Sequence, residues 1–283
     1  MQPRAYIPAP VGLNVFSFGY ANNAGGLLFD PGLPVQNANV NANLLTVAFA
    51  QSLGVLGRTA QVLVVAPYVE ANLDGLFAGN QTHLYRSGLG DTVYRYSMNI
   101  YGAPAMNRKQ FATFKQKTIV GASITVSAPT GQYDPARLIN IGANRWGFKP
   151  EVGVSRALGN WTVEGSAGVW IYTANDRYNG NSVRTQDPIG SVQIHVVRFL
   201  PHRIWLAGDG TFFTGGRSHV NGGDGNDYQG NQRWGGTFGI AITRRQAIKI
   251  AYFDGVITRV GADVRSIGLS YSFIWKTGNT PPN

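Results

Sequence analysis

The chain lacks long hydrophobic runs, has little charge and contains no cysteine. None of its 283 residues falls in an uncharged apolar stretch of about eighteen residues, the length that a membrane-spanning helix needs, so a helical membrane protein is excluded. Charged residues make up 13% of the chain, against about a quarter in a typical soluble protein. The absence of cysteine is compatible with a route through the oxidising periplasm. Met1–Pro10 has no basic stretch followed by an apolar core, so we expect a mature chain with a start Met.

What the chain has instead is 37 glycines, 12% aromatic residues and a mean hydropathy of -0.10. From Thr118 to Trp275, segments of about ten residues alternate apolar with polar or small side chains and are separated by turns. The last segment sets five apolar residues on one strand face against four small ones on the other: Ile267, Leu269, Tyr271, Phe273 and Trp275 against Ser266, Gly268, Ser270 and Ser272. The pattern predicts an all-β protein, a single transmembrane antiparallel up-and-down β-barrel.

The alternation predicts about twelve strands, an even number as in bacterial barrels. They are centred near residues 11–20, 40–53, 59–71, 88–102, 117–130, 146–158, 160–175, 187–199, 203–215, 231–243, 246–258 and 263–276. Tight links alternate with long links rich in Gly and Asn, which predicts short periplasmic turns, long extracellular loops and both termini in the periplasm. The link 103–116 is the exception to the short periplasmic turns, and its segment Asn107–Lys115 is predicted to form a short helix. We expect a periplasmic N-terminal segment 1–10, a barrel 11–276 and a tail 277–283.

Charged and aromatic residues on the interior face are the candidate functional residues. A Lys or Arg that faces lipid at the bilayer midplane costs roughly 2–4 kcal/mol, so central charged positions are expected to face inward. The predicted pore-lining residues are Arg95, Lys149, Glu151, Glu164, Trp170, Tyr172, His195, Arg203, Asp209, Arg233 and Lys249. The charged ones could form a selectivity ring or simply pair with one another. Trp170 and Tyr172 could contact an aromatic solute or be rim aromatics of the kind common to such barrels.

Two further features concern how a solute would leave the barrel. Pro67 and Pro129 lie near the outer ends of the third and fifth predicted strands, where a missing ladder hydrogen bond could create a lateral gate into the outer leaflet. Proline at a strand end is also an ordinary terminator. Arg4 and Tyr6, with the prolines that follow, could form a periplasmic plug or a loose tail.

The formal net charge of +10 does not predict nucleic-acid binding, because the basic residues form no aromatic-interleaved stripe on a soluble domain. They are spread over lumen, turns and rims, and those on the outer side are near lipopolysaccharide phosphates. No metal or cofactor is expected, because metal-ligand spacing is absent among the four histidines: His83, His195, His202 and His219. The expected partners are outer-membrane lipid and lipopolysaccharide, the barrel-assembly machinery and a small-molecule solute, with the oligomeric state left open.

Several short segments resemble a known family. They are Arg4–Pro8, Leu28–Pro31, Arg86–Asp91, Pro129–Tyr133 and, most specifically, Asn140–Glu151 with the sequence NIGANRWGFKPE. Across nearly the whole chain the sequence resembles the bacterial outer-membrane transporter family named for the MetA pathway of phenol degradation. The resemblance implies an outer-membrane transporter associated with the catabolism of aromatic compounds.

About twelve strands give a lumen wider than that of a filled eight-stranded barrel and narrower than that of a general porin. This favours a non-enzymatic channel for passive diffusion of small organic solutes, anionic or aromatic, in the outer membrane of a Gram-negative bacterium. A structural or adhesive barrel is the alternative if the loops or the N-terminal segment plug the lumen. An outer-membrane hydrolase is a third reading, since Ser191 and His195 share a strand face, but no third catalytic partner is evident.

Overall fold

In the computed structural model, which describes residues 3–29, 35–137 and 139–276, twelve antiparallel strands close into a barrel, as predicted. The strands of the chain are β1 (Leu13–Leu28), β2 (Val35–Val55), β3 (Arg58–Phe77), β4 (Asn80–Leu89), β5 (Thr92–Tyr101), β6 (Thr118–Ala128), β7 (Gly147–Leu158), β8 (Trp161–Tyr172), β9 (Asn175–Tyr178), β10 (Ser182–Gln186), β11 (Ile189–Leu200), β12 (Ile204–Gly215), β13 (Ser218–Val220), β14 (Gly223–Asp224), β15 (Gln229–Ala241), β16 (Gln246–Ile257) and β17 (Gly261–Lys276). The wall follows the order β1, β2, β3, β5, β6, β7, β8, β11, β12, β15, β16, β17, and β17 pairs with β1 to close it. Strands β9, β10, β13 and β14 form a small separate sheet from two extracellular links.

The strand alternation places apolar side chains outside, where the membrane lies. On β17 the outer residues Ile267, Leu269 and Tyr271 are 56%, 51% and 38% exposed in the isolated chain. Their neighbours Ser270 and Ser266 face inward and line interior cavities. Because lipid covers the outer face, exposed apolar residues there are the expected arrangement for a membrane barrel.

The fourth wall strand differs from its predicted boundaries because it is interrupted at Gly90 and Asp91. Strand β3 pairs with β5 as far as Val65 and with β4 from Tyr68 onward. Between these stretches, the Gly90 amide donates to the carbonyl of Pro67 over 2.9 Å. The predicted strand 88–102 therefore corresponds mainly to β5, and a break in the barrel wall at Gly90 and Asp91 separates β5 from β4.

The first four strands also extend further on the extracellular side than the alternation predicted. β1 continues to Leu28, β2 starts at Val35, and β3 runs to Phe77 before a two-residue turn leads into β4. The sequence pattern missed these extensions because many of their residues are Asn, Ala and Gly, which are poor strand formers in isolation.

The periplasmic links are short, apart from the one after β5. There, α1 (Arg108–Thr113) begins at the N-cap Asn107, whose side chain accepts from the amides of Lys109 and Gln110. The side chain of Gln110 accepts in return from the Asn107 amide, which completes a capping box. The predicted short helix is confirmed. Within the part of the chain that the structure describes, no helix is long and apolar enough to cross a membrane.

Three of the sequence features fall partly or wholly outside the described residues. They are Met1 and Gln2 of the N-terminal segment, Asp30 and Pro31 of the segment Leu28–Pro31, and the tail 277–283.

Candidate solute pathway

Neighbouring strands turn ten of the eleven predicted pore-lining residues toward the barrel interior. Arg95, Glu151, Glu164, His195 and Asp209 are each at least nine-tenths buried. Lys149, Trp170 and Arg233 line one interior cavity, Lys249 lines another, and Tyr172 stacks on Trp170. The strand alternation alone produces this arrangement, because every second residue of a barrel strand faces inward.

Arg203 is the exception, and the expectation that it lines the pore is wrong. It lies in the periplasmic turn Pro201–Arg203, where its backbone has a φ of 60° and its side chain is exposed. Its odd position number matches those of the inward residues Trp205 and Asp209, so strict alternation would place it on the inner face. The strand begins only at Ile204, so the alternation does not extend to position 203.

Glu151 is the centre of a buried charge network in the middle of the barrel. Its carboxylate accepts from Lys149 Nζ over 2.6 Å, from Gln193 Nε2 over 3.1 Å and from Arg95 Nη2 over 3.4 Å. It also accepts from the hydroxyl of Tyr6 over 3.0 Å. These interior charges are therefore paired, which is the arrangement that offsets the cost of burying them.

A second polar pair joins β11 and β12. His195 Nδ1 lies 2.6 Å from Asp209 Oδ1, and the other carboxylate oxygen accepts from Thr237 Oγ1 over 2.7 Å. Ser191, on the same strand face, donates its hydroxyl to the Gly168 carbonyl over 3.3 Å. The serine hydroxyl is thus directed away from the imidazole. In the described ranges no group of His, Cys, Asp or Glu is arranged to hold a metal ion.

The N-terminal segment, described from Pro3, lies inside the periplasmic end of the barrel. The ring of Tyr6 packs against Gly121 and Gly153, where a Cβ atom would collide with it. The Tyr6 carbonyl accepts from Asn99 Nδ2 over 3.1 Å. Glycines on two adjacent wall strands, β6 and β7, therefore form the flat surface on which this ring rests.

Arg4 fixes the same segment to the next strands of the wall, β8, β11 and β12. Its backbone amide donates to Glu164 Oε2 over 2.6 Å. Its guanidinium lies over the rings of Trp205 and Phe199, 5.0 and 5.4 Å from their centroids. The N-terminal segment therefore forms a plug in the barrel and not a loose tail.

The plug divides the interior into separate spaces. A cavity of about 510 Å³ lies on its extracellular side, and one of about 130 Å³ lies on its periplasmic side. Ala5 and Tyr6 line both. These two residues form the partition between the middle of the lumen and the periplasmic mouth.

Above the plug, two cations flank a stacked pair of aromatic rings on the inner side of β7, β8 and the link before β7, in an arrangement that we call the cation–aromatic ladder. Arg145 lies 4.2 Å from the ring centroid of Tyr172, which stacks on Trp170 at 5.9 Å with an interplanar angle of 5°. Lys149 Nζ lies 5.8 Å from the Trp170 ring. Burial lowers the pKa of Arg145 to about 10, so it remains charged at neutral pH.

Arg145 is not among the residues that the sequence predicts to line the pore. Its parity with Lys149 and Glu151, at positions 145, 149 and 151, is the signal that could have placed it on the inner face. The predicted strand 146–158 begins one residue after Arg145, and β7 itself begins at Gly147, so the alternation of the strand does not reach it. Its position at the extracellular end makes it the first cation of the cation–aromatic ladder.

Three segments quoted for the family resemblance meet at the break in the wall. The Asp91 carboxylate accepts from the amides of Gly131 and Ala143, each over 2.9 Å. Arg86 Nε donates to the Ile139 carbonyl over 3.1 Å. These contacts attach the link between β6 and β7 to the interrupted fourth strand.

Both prolines proposed as a lateral gate border this break. Pro67 accepts the hydrogen bond from Gly90, and Pro129 directly follows Ala128, which pairs with Thr92 at the start of β5. The amide of Gln132 donates to the Leu89 carbonyl over 2.8 Å, so the link occupies the break. Lateral release through this place stays a proposal.

Comparison with known proteins agrees with this architecture. The family model described as "Putative MetA-pathway of phenol degradation" matches residues 19–273. The fold is similar to an outer membrane channel from Pseudomonas putida F1, with a TM-score of 0.83 and 20% identity over 97% of this chain and 100% of that one. It is less similar to the β domain of the Bordetella autotransporter Brka (TM-score 0.52, 12% identity, 93% and 100% covered) and to the transport unit of the Escherichia coli autotransporter AIDA-I (0.55, 8%, 98% and 93%). No curated protein matches the chain in sequence.

The structural likenesses are at low identity and show the fold, whereas the family match spans nearly the whole barrel. The chain therefore belongs to the MetA-pathway phenol-degradation family, as an outer-membrane β-barrel of a Gram-negative bacterium.

Proposed function

We propose that this barrel is a channel for passive diffusion of small organic solutes and that it favours anionic aromatic compounds. The observation that carries the proposal is the cation–aromatic ladder of Arg145, Tyr172, Trp170 and Lys149 on the inner wall. A solute with a ring and a carboxylate finds both kinds of partner there. The family and the outer-membrane fold support transport as the general role.

Unpartnered polar atoms beside the ladder support an anionic solute. Among the described residues, Arg145 Nη1, Arg233 Nε and Thr211 Oγ1 above the plug, and Arg4 Nε in the plug itself, are buried without a hydrogen-bond partner. Arg233 and Thr211 line the cavity of about 330 Å³ that also contains Lys149 and Trp170. Lys149 and Arg233 thus place cationic donors at this cavity, and a carboxylate, which only accepts hydrogen bonds, is a matching partner for them.

The contacts are individually weak, which suits a channel. A cation–π contact contributes about 0.5–2 kcal/mol, and stacked rings contribute on the order of 1 kcal/mol. A solute that exchanges one such contact for the next binds often and leaves quickly. Conduction requires this balance between favourable binding and fast release.

The plug supports a second candidate, a structural barrel with a closed lumen. The contacts of Arg4 and Tyr6 hold the N-terminal segment in the barrel, and Ala5 and Tyr6 separate the two interior cavities. A structural barrel, however, gives no reason for a cation–aromatic ladder beside an open cavity above the plug. We therefore favour the channel, with the plug as its constriction.

Liposome swelling with purified protein tests the proposal. Benzoate should enter wild-type proteoliposomes, and the double variant Trp170→Ala with Tyr172→Ala should slow benzoate roughly three- to tenfold while acetate changes little. The matched control is Trp146→Ala with Phe148→Ala. This pair is also stacked, with centroids 6.3 Å apart, but both side chains face the lipid at the same height.

Three outcomes separate the candidates. A selective loss of benzoate uptake in the inner variant, with the outer variant like wild type, supports the channel for aromatic acids. Equal effects on benzoate and acetate would remove the aromatic preference. No permeation of either solute through the wild type would favour the closed structural barrel.

A further inference from the structure

The extracellular extension of the first four strands reverses the polarity of the membrane wall. Its outer face carries polar residues such as Asn41 and Asn43, which accept hydrogen bonds of 2.8 Å from Asn22 and Tyr20 respectively. Its inner face carries Leu73, which is only 7% exposed. In the membrane the outer face of the same strands is apolar, as at Phe18, Leu45 and Val47. The reversal indicates that the extension stands in water and encloses an apolar space of its own.

That space is a cavity of about 270 Å³ between the β2–β3–β4 extension and the link that follows β6. Most of its lining is apolar: Phe29, Val35, Ala38, Leu73, Leu76, Phe77, Leu84, Ala136 and Ile139. An apolar cavity of about 150 Å³ in another protein stays dry and binds benzene. The space here is large enough for one substituted aromatic ring. We call it the extracellular apolar cavity.

Two arginines, Thr82 and Asp74 give the extracellular apolar cavity a polar side, and the Asp74 carboxylate lies 2.7 Å from His83 Nδ1. Arg137 pairs with Asp134 over 3.0 Å, but both side chains are about half exposed, so this ion pair is weak and easily exchanged. Arg86 also lines the cavity and donates to the Ile139 carbonyl. An acid whose ring enters the apolar part would have its carboxylate within the field of these cations.

The cavity and the cation–aromatic ladder are joined by one segment of chain. Ala136 and Ile139 of the β6–β7 link line the cavity, and the same link ends at Arg145, the first cation of the ladder. A solute released from the cavity therefore lies beside the segment that leads to the lumen.

We propose that the extracellular apolar cavity is a separate binding site for amphipathic aromatic acids, where the solute is captured before it reaches the lumen. The solute class rests on the proposed function, whereas binding at this site does not require permeation. The ring is bound by the leucines of β3 and β4, and the carboxylate lies toward Arg137. The cavity raises the local concentration of solute at the channel mouth.

Calorimetric titration of 4-ethylbenzoate into the full chain in phospholipid nanodiscs tests this site without competing detergent. Leu73→Asn with Leu84→Asn should weaken binding by roughly tenfold or more, because it places polar groups where the ring would be buried. The matched control is Tyr85→Asn, the outward-facing neighbour of Leu84 on β4, which should bind like wild type. Heat-dependent migration on gels checks that each variant forms a barrel.

A second variant avoids burying a polar group. Leu84→Trp fills the cavity with apolar volume and should abolish binding if the ring occupies that space. Arg137→Gln should weaken 4-ethylbenzoate but leave the neutral 4-ethylbenzamide unchanged. The same titrations in the background of Trp170→Ala with Tyr172→Ala remove any contribution of the ladder and leave the binding that depends on the cavity.

The outcomes distinguish this proposal from the proposed function. Binding that survives both Leu84→Trp and the double Asn variant, or no binding to the wild type, overturns the extracellular site even if benzoate still permeates. Cavity-dependent binding without any uptake into liposomes keeps the site and overturns the channel.

Discussion

The two halves of the barrel interior use similar residues in opposite ways. Toward the periplasm, charged groups are paired with each other and with the plug, as Glu151 is with Arg95 and Tyr6. Toward the outside, Arg145 stacks on a ring, and Arg233 retains a donor without a partner. Paired charges fix a structure, whereas cations with remaining hydrogen-bonding capacity can receive a solute. The difference supports the proposal that the inner half is the constriction and the outer half the recognition surface.

The largest expected effect comes from removing the partition in the inner half. Tyr6→Ala should raise single-channel conductance severalfold, because the ring that separates the two cavities is lost. Tyr6→Phe is the control, since it keeps the ring on Gly121 and Gly153 and loses only the hydroxyl contacts. Planar-bilayer recording measures both. Equal conductance of Tyr6→Ala and wild type would show that the constriction lies elsewhere.

A smaller effect is expected on ion selectivity, from the outer half. In a salt gradient the wild type should prefer anions, because Lys149 and Arg233 line the upper cavity. Lys149→Glu with Arg233→Glu should reduce this preference. The control, Arg244→Glu with Arg245→Glu, makes the same change in net charge in an exposed turn outside the lumen and should alter selectivity less. A wild type that prefers cations would contradict the assignment of the recognition surface.

The smallest effect concerns His219 in the extracellular sheet. Its imidazole lies 2.8 Å from Asp224 and 3.2 Å from Asp187, and these bonds, the one to Asp224 first, raise its pKa above 6.5. The stabilisation from the ion pairs of protonated His219 with Asp187 and Asp224 is thus fully present below the unfolded pKa of about 6.5. It is lost as the pH rises through the higher folded pKa.

An NMR titration of the His219 ring measures this shift. Asp224→Asn should lower the pKa of His219 more than Asp187→Asn does, because the shorter bond contributes more. A ring that titrates like a free histidine in the wild type would contradict the arrangement of the two carboxylates.

Most of the fold could be predicted from the alternation of apolar with polar or small side chains along the strands. In a barrel each residue's side is set by its parity, so positions such as Trp170, Glu151 and Lys249 could be assigned to the interior from the sequence. The same rule failed at Arg203, because side chains alternate between the two faces only within a strand, and Arg203 precedes the first residue of β12. Local pattern thus predicts which residues face inward, and strand boundaries limit where it applies.

Contacts between distant segments could not be read from the sequence. The break at Gly90 depends on Pro67, and the carboxylate of Asp91 is satisfied by amides about forty and fifty residues away. The plug depends on glycines at positions 121 and 153 that accept a ring from the N-terminus. Such pairings leave no periodic signal, so the interrupted wall and the apolar cavity above it emerge only from the structure.

The most direct test of the recognition surface is a bi-ionic reversal potential. A planar bilayer containing the wild-type channel separates potassium benzoate from potassium acetate, so the potential at zero current reports which anion is more permeant. The cation–aromatic ladder predicts that benzoate is more permeant than the smaller acetate, and that Trp170→Ala with Tyr172→Ala abolishes the difference. Acetate permeating as well as or better than benzoate through the wild type would contradict the account.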